Sequence, residues 1–296
     1  MEIKVEKNVD LNQFTTYHTG GPAKFFARVQ NWQQMLGLRE FARVNKIPYL
    51  ILGGGSNILF ADEGYPGLVI MNQMDKVRIH QHTITAESAV NLMKLVVIAA
   101  KNNLGGISGL ANVPGSVGGA VYGNAGVSDV CISDVFMHAE ILPTNGNKPI
   151  IVGQDYCQFW YRTSRFKETK DIILSATLKL QPAPAPLIQS QVSAYVKQRT
   201  LKQPVGMSCG SFFKNPGEFP SAGWLIEQSG CKGMKVGGAQ VSEKHANFIL
   251  NTGTATSSDI VNLALKVHKK VEEKYSVKLE PEVQILPGSP FKNLKT

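Results

Sequence analysis

The sequence lacks the features that mark several large protein classes. Its first ten residues, MEIKVEKNVD, are charged and contain no apolar core of a signal peptide. The longest apolar run, Leu95–Ala100, is closed by Lys94 and Lys101 and is too short to span a bilayer. None of the four cysteines forms a CxxC pair, and no histidine stands at metal-ligand spacing. These absences predict a cytoplasmic protein with reduced thiols, no metal site and no membrane partner.

Long runs of positive charge are also missing, although the chain is basic. Its formal net charge is +9, which favours anionic partners. The lysines and arginines are dispersed and are not interleaved with aromatic residues, so phosphate-bearing small molecules rank above nucleic acid. A non-catalytic nucleotide- or nucleic-acid-binding protein remains the alternative from another class. It predicts a colourless protein whose nucleic-acid binding weakens steeply with salt.

Two familiar nucleotide fingerprints and one hydrolase fingerprint are absent. The turn Gly53-Gly-Gly-Ser-Asn57 follows a short apolar strand, but it is not G-x-G-x-x-G and no Lys-Ser/Thr pair follows it. Ser211 is not in a G-x-S-x-G elbow, so a nucleophilic hydrolase is not indicated.

What the chain has instead is an uncharged, glycine-rich stretch. Residues 105–126 read GGISGLANVPGSVGGAVYGNAG and contain eight glycines. A backbone that lies against a flat ligand, or curls its amides around a phosphate, needs such positions. With the turn at 53–57, the stretch predicts a dinucleotide held between two loops. A triple glycine taken alone is more often a plain turn, and that alternative stays open.

The periodicity of apolar residues predicts alternating helices and strands. Helices are expected from Asn31 to about Val44, over 87–103, over 188–200, from Ser221 to Gly230 and over 258–275. Strands are expected over 24–29, 49–52, 67–71, 76–86, 137–142, 150–152, 171–180, 247–251 and 277–286. Alternating prolines at 182–186 forbid both helix and ladder, and we place a domain boundary there.

Several polar residues are candidates for chemistry, each with a structural alternative. Arg162 lies in an aromatic run and either stacks on its neighbours or faces a carboxylate or developing negative charge. Arg199 and Lys202 either favour a helix dipole or form a phosphate-binding rim with Lys214 and Asn215.

The C-terminal part adds three further candidates. Ser211 follows a glycine, a pair that is usually structural. If Val283 faces out, Glu282 faces the core and is either ion-paired or an active-site acid. For His245 the structural alternative, a hydrogen-bonded histidine, is favoured.

Nine segments in order along the chain resemble one family, the UDP-N-acetylenolpyruvoylglucosamine reductases, also called UDP-N-acetylmuramate dehydrogenases. They are YHTGGPA at 17–23, LGGGSNIL at 52–59, PGSVGGAVYGNAG at 114–126, YRTS at 161–164, KQP at 202–204, GSFFKNP at 210–216, AGWLIEQSG at 222–230, GGAQVSEKHANFILN at 237–251 and EPEVQILPG at 280–288. Any one is weak, but the ordered set is specific.

The resemblance implies an α+β fold. A flavin-binding fold of the vanillyl-alcohol-oxidase (PCMH) type occupies two subdomains, residues 1–65 and 66–183, and an α+β substrate-binding domain follows at 184–296. The short stretch between YRTS and KQP has no inserted tyrosine loop and is similar to the family's shorter form. Two segments depart from the family pattern: the lead-in GLANVPG at 109–115 is shorter, and Trp160 replaces a small residue.

The resemblance also implies an activity. The enzyme would use non-covalent FAD, with NADPH as reductant, to reduce UDP-N-acetylglucosamine enolpyruvate to UDP-N-acetylmuramate in peptidoglycan precursor synthesis. We expect a cytoplasmic monomer that binds neither nucleic acid nor membrane. Another FAD-dependent oxidoreductase of the same fold, such as a small-alcohol oxidase, is the alternative.

Residue by residue, the resemblance implies a catalytic set of Arg162, Ser211 and Glu282. Hydride from flavin N5 would reach the methylene carbon, Arg162 and a protonated Glu282 would stabilise the enolate-like state, and Ser211 would donate the proton. Substrate contacts are implied at Tyr161, Arg199, Lys202, Asn215 and His245. The residues expected to bind the cofactor are Gly53, Gly54, Gly55, Ser56, Asn57, Pro114, Gly115, Ser116, Gly118, Gly119 and Asn124.

Overall fold

A computed structural model of the chain describes residues 3–127 and 130–291. These residues form two compact units. The first unit contains residues 3–5, 26–54, 68–127 and 130–199, and the second contains residues 6–25, 55–67 and 200–291. The domain boundaries expected after residues 65 and 183 stay a prediction.

Helices and strands alternate along most of the chain. The α-helices are α1 (Trp32–Val44), α2 (Leu92–Lys101), α3 (Val117–Gly123), α4 (Ile132–Val135), α5 (Gln154–Cys157), α6 (Phe166–Thr169), α7 (Ala185–Lys202), α8 (Ala222–Gln228) and α9 (Ser257–Tyr275). The strands are β1 (Val5–Asp10), β2 (Pro22–Val29), β3 (Tyr49–Leu52), β4 (Ile58–Phe60), β5 (Tyr65–Asn72), β6 (Val77–His80), β7 (Thr83–Glu87), β8 (Leu104–Gly105), β9 (Gly126–Val127), β10 (Val130–Cys131), β11 (Phe136–Leu142), β12 (Ile150–Gly153), β13 (Ile172–Lys179), β14 (Gln181–Pro182), β15 (Lys235–Val236), β16 (Ala239–Val241), β17 (Ile249–Asn251) and β18 (Gln284–Leu286).

The first unit is built on a five-stranded antiparallel sheet of order β12-β11-β13-β7-β6. Its core joins residues of that sheet, such as Ile84 and Ala176, to Leu95 of α2 and Val121 of α3. In the same unit, β3 pairs in parallel with residues 68–71 of β5. The sheet and its helices thus hold the glycine-rich stretch on a packed base.

The second unit has its own core. A small antiparallel sheet of order β15-β16-β17 packs with α8 and α9, which contribute Leu225, Leu263 and Val267. The strands β4 and β18 pair in parallel from Ile58 opposite Gln284 to Phe60 opposite Leu286. The two cores are distinct clusters of buried residues.

Local capping signals predicted the helix starts well. The Asn31 side chain accepts a hydrogen bond from the Gln34 N–H at 2.9 Å and begins α1, and the Ser221 hydroxyl accepts one from the Trp224 N–H at 3.3 Å and begins α8. The helices predicted from Asn31 to about Val44, from Ser221 to Gly230 and over 258–275 are therefore confirmed as α1, α8 and α9.

Two expectations in the first half were wrong in detail. The single strand expected over 76–86 is the hairpin β6–β7, with Gln81 at φ 51° in its turn. The helix expected from residue 87 begins at Leu92, because the Asn91 side chain accepts from the N–H groups of Met93 and Lys94. Residue 87 is instead the last residue of β7, and a turn lies between it and the helix.

The prolines at 182–186 were also misread. Pro182 lies in the two-stranded pair β14–β8, opposite Leu104, and α7 begins at Ala185 with Pro186 in its first turn. A two-stranded pair leaves one edge of each strand without a partner in the ladder, and a helix needs no N–H group in its first turn, so both positions accept proline. The expected strand 277–286 is regular only at Gln284–Leu286.

The glycines of α3 give a matched stability test. A Cβ added to Gly118 would lie 2.7 Å from the Ser88 Cβ and 3.1 Å from its carbonyl oxygen, whereas nothing lies within 4 Å of a Cβ added to Gly123. We expect Gly118→Ala to lower the free energy of unfolding by about 1–3 kcal/mol through overpacking. Gly123→Ala should be neutral or stabilising by up to about 1 kcal/mol. Denaturant unfolding of both variants checks this, and equal stabilities would contradict it.

Candidate active site

The two glycine-rich loops meet within the first unit. A Cβ on Gly53 would lie 2.5 Å from the Ser116 Oγ, and one on Gly54 would lie 3.1 Å from the Gly115 Cα. Side chains at 53 and 54 would push the loops apart, so the close approach requires glycine there. The segments expected to hold a dinucleotide are thus neighbours in the fold, although they stand about 60 residues apart in the sequence.

Ser116 organises the second loop. It is 5% exposed, and its Oγ accepts a hydrogen bond from the Gly119 N–H at 3.3 Å, which caps α3. The Val117 and Gly118 N–H groups donate to the carbonyls of Val90 and Ser88, so this end of α3 is anchored to the turn that follows β7. Gly118 is consequently a packing position, while Gly119 and Pro114 are exposed. The rim of the loop that is open to a ligand is Pro114, Gly115 and Gly119.

The remaining residues of the first loop belong to the second unit. Gly55 has φ 62°, and a Cβ on it would lie 1.9 Å from the Phe14 carbonyl oxygen, so only glycine fits. Ser56 and Asn57 are half-buried. The Asn57 Nδ2 donates to the Glu282 carbonyl at 3.2 Å, and the Gln284 N–H donates to the Asn57 carbonyl at 3.0 Å. The end of this loop is therefore tied to the segment that carries Glu282.

Ser211 and Glu282 lie on adjoining backbone segments of the second unit. The Glu282 N–H donates to the Phe212 carbonyl at 2.8 Å, and the Phe212 N–H donates to the Asn247 carbonyl at 2.7 Å. Ser211 forms an isolated antiparallel bridge with Phe248. Both candidate side chains are half-buried. The fold thus brings a hydroxyl and a carboxyl group, 71 positions apart in the sequence, onto adjoining backbone segments.

The sequence argument for Glu282 used the wrong face. It placed Glu282 towards the core on the condition that Val283 points outward, but Val283 is 3% exposed and Ile285 is 8% exposed. The apolar alternation therefore faces the core, and Glu282 stands on the other side of the segment. A half-buried carboxyl group there does not require a fully buried ion pair.

Asn215 and His245 both lie beside the first residues of α8. The Asn215 Oδ1 accepts from the Ala222 N–H at 3.0 Å, and a Cβ on Gly223 would lie 3.1 Å from the His245 Cε1. Burial lowers the pKa of His245. The Asn247 N–H donates to its Nδ1 at 3.3 Å, so the neutral ring keeps its proton on Nε2. His245 is thus a neutral hydrogen-bond donor.

Arg162 occupies a strained turn in the first unit. Its backbone has φ 53°, and Trp160 and Thr163 exchange N–H to carbonyl hydrogen bonds of 3.1 and 3.2 Å across the turn. The Lys167 Nζ donates to the Arg162 carbonyl at 2.6 Å. The guanidinium lies 5.3 Å from the Tyr161 ring centroid, so the stacking alternative is met by Tyr161 rather than by Trp160. A left-handed backbone held from both sides is typical of functional turns.

Asn124 connects this turn to the glycine-rich stretch. It ends α3 at φ 44°, its Nδ2 donates to the Trp160 carbonyl at 3.0 Å, and its Oδ1 accepts from the Ser133 N–H at 3.3 Å. The Ser164 hydroxyl adds a bond of 2.7 Å to the Tyr122 carbonyl. The structure thus places the Asn124 side chain between protein groups, in a linking position.

Asn124 allows a test of that link. We expect Asn124→Ala to destabilise the protein by about 1–3 kcal/mol, because the buried Asn124 side chain gives up both of its hydrogen bonds. Asn124→Gly loses the same bonds but accepts the left-handed backbone, so it should be more stable than the alanine variant by about 1 kcal/mol. Thermal unfolding of the two variants measures the difference, and a glycine variant that is less stable than the alanine variant would contradict the strain argument.

Arg199 and Lys202 lie in the last turn of α7. Arg199 is half-buried and burial lowers its pKa, while Lys202 is exposed. Both the dipole explanation and the phosphate-rim explanation are compatible with these positions.

The cysteines are mostly buried thiols. All four are free, and burial raises the pKa of Cys157 and Cys209 to about 12. Among residues 3–127 and 130–291, no cluster of His, Cys, Asp or Glu has the makeup of a metal site. Within the same ranges, no helix has the length and apolar character needed to cross a membrane.

Sequence reasoning missed Lys167 and Asn247, which hold the backbone around Arg162 and Ser211. Asn247 left a weak signal, because it is a polar residue inside the apolar run Ala246–Leu250 and is only 3% exposed. A polar side chain buried in such a run needs hydrogen-bond partners, which the sequence does not name.

Comparison with known proteins identifies one family over nearly the whole chain. Residues 201–286 match the family described as UDP-N-acetylenolpyruvoylglucosamine reductase, C-terminal domain, and residues 23–147 match the FAD binding domain. A UDP-N-acetylenolpyruvoylglucosamine reductase of Synechococcus sp. (strain JA-3-3Ab) is 39% identical over 96% of this chain and 91% of its own. One of Streptococcus pyogenes serotype M12 is 38% identical over 96% of both.

A solved structure has the same fold. The crystal structure of UDP-N-acetylenolpyruvylglucosamine reductase from Thermus caldophilus superposes with a TM-score of 0.81 at 31% sequence identity. The match covers 97% of this chain and 100% of that one. The expected α+β flavin-binding fold with a following substrate domain is confirmed by these similarities.

Proposed function

The chain belongs to the UDP-N-acetylenolpyruvoylglucosamine reductase family, and we propose that it reduces UDP-N-acetylglucosamine enolpyruvate to UDP-N-acetylmuramate with electrons from NADPH. It is an FAD-dependent oxidoreductase of peptidoglycan precursor synthesis. The observation that carries the proposal is the pairing of Ser211 and Glu282 on adjoining segments, joined by the bond from the Glu282 N–H to the Phe212 carbonyl. We further propose that it acts in the cytoplasm as a monomer, without nucleic acid or membrane.

The loops of the first unit fit a dinucleotide. The space that Cβ atoms would fill at Gly53 and Gly54 lies against Gly115 and Ser116, and neither loop carries a charged residue. Backbone N–H groups in such uncharged turns donate hydrogen bonds to phosphate oxygens. FAD bound there, without a covalent link, supplies the hydride for the reaction. We propose that the residues holding it are Gly53, Gly54, Gly55, Ser56, Asn57, Pro114, Gly115, Ser116, Gly118, Gly119 and Asn124.

Arg162 and Glu282 have the chemistry to stabilise negative charge. Addition of hydride to the methylene carbon of an enolpyruvyl ether leaves negative charge on the carbon that bears the ether oxygen and the carboxylate. A guanidinium binds that carboxylate through two parallel hydrogen bonds. A protonated Glu282 donates a further hydrogen bond, and fixed donors of this kind act most strongly where charge develops.

Ser211 is the proposed proton donor to that carbon. A hydroxyl is a poor acid towards ordinary bases, but a carbanionic carbon is basic enough to take its proton. The proton leaves the Ser211 Oγ and forms the new C–H bond, and the serine regains its proton from solvent.

The UDP part of the substrate needs cationic and neutral donors. Arg199 and Lys202 suit the diphosphate because both carry positive charge. Asn215 and His245 meet α8 and present amide and imidazole N–H groups. Tyr161 is 45% exposed and offers a ring and a hydroxyl. We propose these five as the substrate contacts.

An anaerobic two-step experiment tests the proposal. NADPH is added to the yellow protein until the flavin absorbance is bleached, and UDP-N-acetylglucosamine enolpyruvate is then mixed in. We expect prompt return of the flavin absorbance with this substrate and none with UDP-N-acetylglucosamine. Return with a small alcohol-derived carbonyl compound would favour a different flavin oxidoreductase of this fold, and a colourless protein with salt-sensitive nucleic-acid binding would overturn the proposal.

A further inference from the structure

The backbone that carries Ser211 is held by one buried side chain, that of Asn247. The Asn247 Oδ1 accepts from the Phe213 N–H at 2.9 Å, and its Nδ2 donates to the Phe213 carbonyl at 2.8 Å. The amide group thus gives Phe213 the pair of hydrogen bonds that a neighbouring strand residue would give. Its backbone carbonyl also accepts from the Phe212 N–H at 2.7 Å.

Those three bonds fix consecutive residues immediately after Ser211. On the other side, the Glu282 N–H donates to the Phe212 carbonyl and the Lys214 N–H donates to the Glu280 carbonyl, both at 2.8 Å. Asn247 therefore holds one edge of the paired backbone segments that carry the Ser211 hydroxyl group and the Glu282 carboxyl group. Without its side chain, Phe213 would keep neither of its bonds to this edge.

Asn247 does not itself reach a ligand. It is 3% exposed, and its own N–H donates to the His245 Nδ1. We propose that Asn247 is a positioning residue for Ser211, acting through the backbone of Phe212 and Phe213. This inference rests on the proposed function, because it assigns Asn247 to the proton-donating step.

A positioning role predicts a specific kinetic loss. Misplacing a reacting group by about 1 Å can cost about 100-fold in rate. We expect Asn247→Ala and Asn247→Asp to slow flavin re-oxidation by the enolpyruvyl substrate about 100-fold while flavin reduction by NADPH stays near the parent rate. The aspartate keeps the acceptor for the Phe213 N–H but turns an oxygen towards the Phe213 carbonyl, so it isolates the lost donor.

Two comparisons separate positioning from simple stabilisation. In a Ser211→Ala background, Asn247→Ala should slow re-oxidation by less than about threefold further, because residues that act as a unit are not additive. Asn251 is the matched control. It is 6% exposed, and its side chain bonds the Tyr17 carbonyl at 2.8 Å and the Gly253 and Ala255 N–H groups at 2.8 and 3.0 Å. Asn251→Ala should lower stability and leave re-oxidation within about threefold of the parent.

The outcomes are distinguishable. Re-oxidation of the parent protein by the substrate establishes the proposed function before any variant is made, and its absence overturns that function. With the parent active, additive losses from Asn247→Ala and Ser211→Ala overturn the positioning role. So does an equal loss in Asn251→Ala, or a failure of both Asn247 variants to retain FAD, which would make Asn247 a stability residue only.

Discussion

Replacement of Ser211 with alanine is expected to leave flavin reduction by NADPH unchanged and to slow re-oxidation by the enolpyruvyl substrate by about 10²–10⁴-fold, the usual contribution of a positioned proton donor. The hydroxyl contributes only to the second step, since no proton is delivered to carbon while NADPH reduces the enzyme. Stopped-flow absorbance under anaerobic conditions resolves the two steps in one preparation.

Ser229 provides the matched control for this substitution. Its hydroxyl oxygen is buried in the same unit and has no hydrogen-bond partner among residues 3–127 and 130–291. Ser229→Ala removes the same atom without removing a bond, so both steps should keep the parent rate. Rapid re-oxidation of Ser211→Ala would remove Ser211 from the proton-donating role, and a comparable slowing in Ser229→Ala would point to a general effect of serine loss in this unit.

The parts of the fold that the sequence predicts are those set by local contacts. Asn31 and Ser221 each bond an N–H three residues ahead, so the signal for the helix start lies within one turn of the chain. The apolar stripe of α9, through Leu263 and Val267, is equally local. Gln81 was missed because a hairpin turn without glycine or proline resembles continuing strand.

Contacts between distant residues account for what the sequence does not reveal. Gly118 is predicted to bind the cofactor, and its missing Cβ also makes room for Ser88, which the sequence does not indicate. Pro182 was predicted to interrupt regular structure, yet it pairs with Leu104 in a two-stranded ladder. Such an edge position tolerates a residue that has no N–H group. Asn247 binds Phe213 across 34 positions of the chain. Such pairings depend on which segments the fold brings together, and a single sequence carries no direct record of them.

The candidate site likewise has a part that the sequence predicts and a part that it does not. The types and order of the candidate residues, a guanidinium, a hydroxyl and a carboxyl group, are predicted from the motifs that carry the family resemblance. The supports for those groups do not follow. Lys167 holds the Arg162 carbonyl, and Asn124 holds the turn through the Trp160 carbonyl. These supports are backbone contacts, so the motif gives no chemical hint of them.

Replacement of Arg162 should cause the second large loss of activity, because its guanidinium is proposed to stabilise the negative charge that develops on the substrate. Arg162→Gly is the informative variant, since glycine accepts the φ of 53° without strain and leaves the turn intact. We expect re-oxidation by the enolpyruvyl substrate to fall by about 10²–10³-fold, with NADPH reduction unaffected. Arg162→Lys should recover only part of the rate, because an ammonium keeps the charge but loses the planar fork.

Guanidinium ion added to Arg162→Gly separates the role of the side chain from that of the backbone. If the lost group is the guanidinium, the free ion should raise the re-oxidation rate of this variant in a saturable way and leave Arg162→Lys unchanged. Arg165→Met is the matched control: the Arg165 guanidinium lies 4.5 Å from the Tyr156 ring centroid, so its loss should cost about 0.5–1 kcal/mol of stability and no activity. An active Arg162→Gly variant without added ion, or an equal loss in Arg165→Met, would remove Arg162 from the charge-stabilising role, because the turn and the positive charge nearby would then suffice.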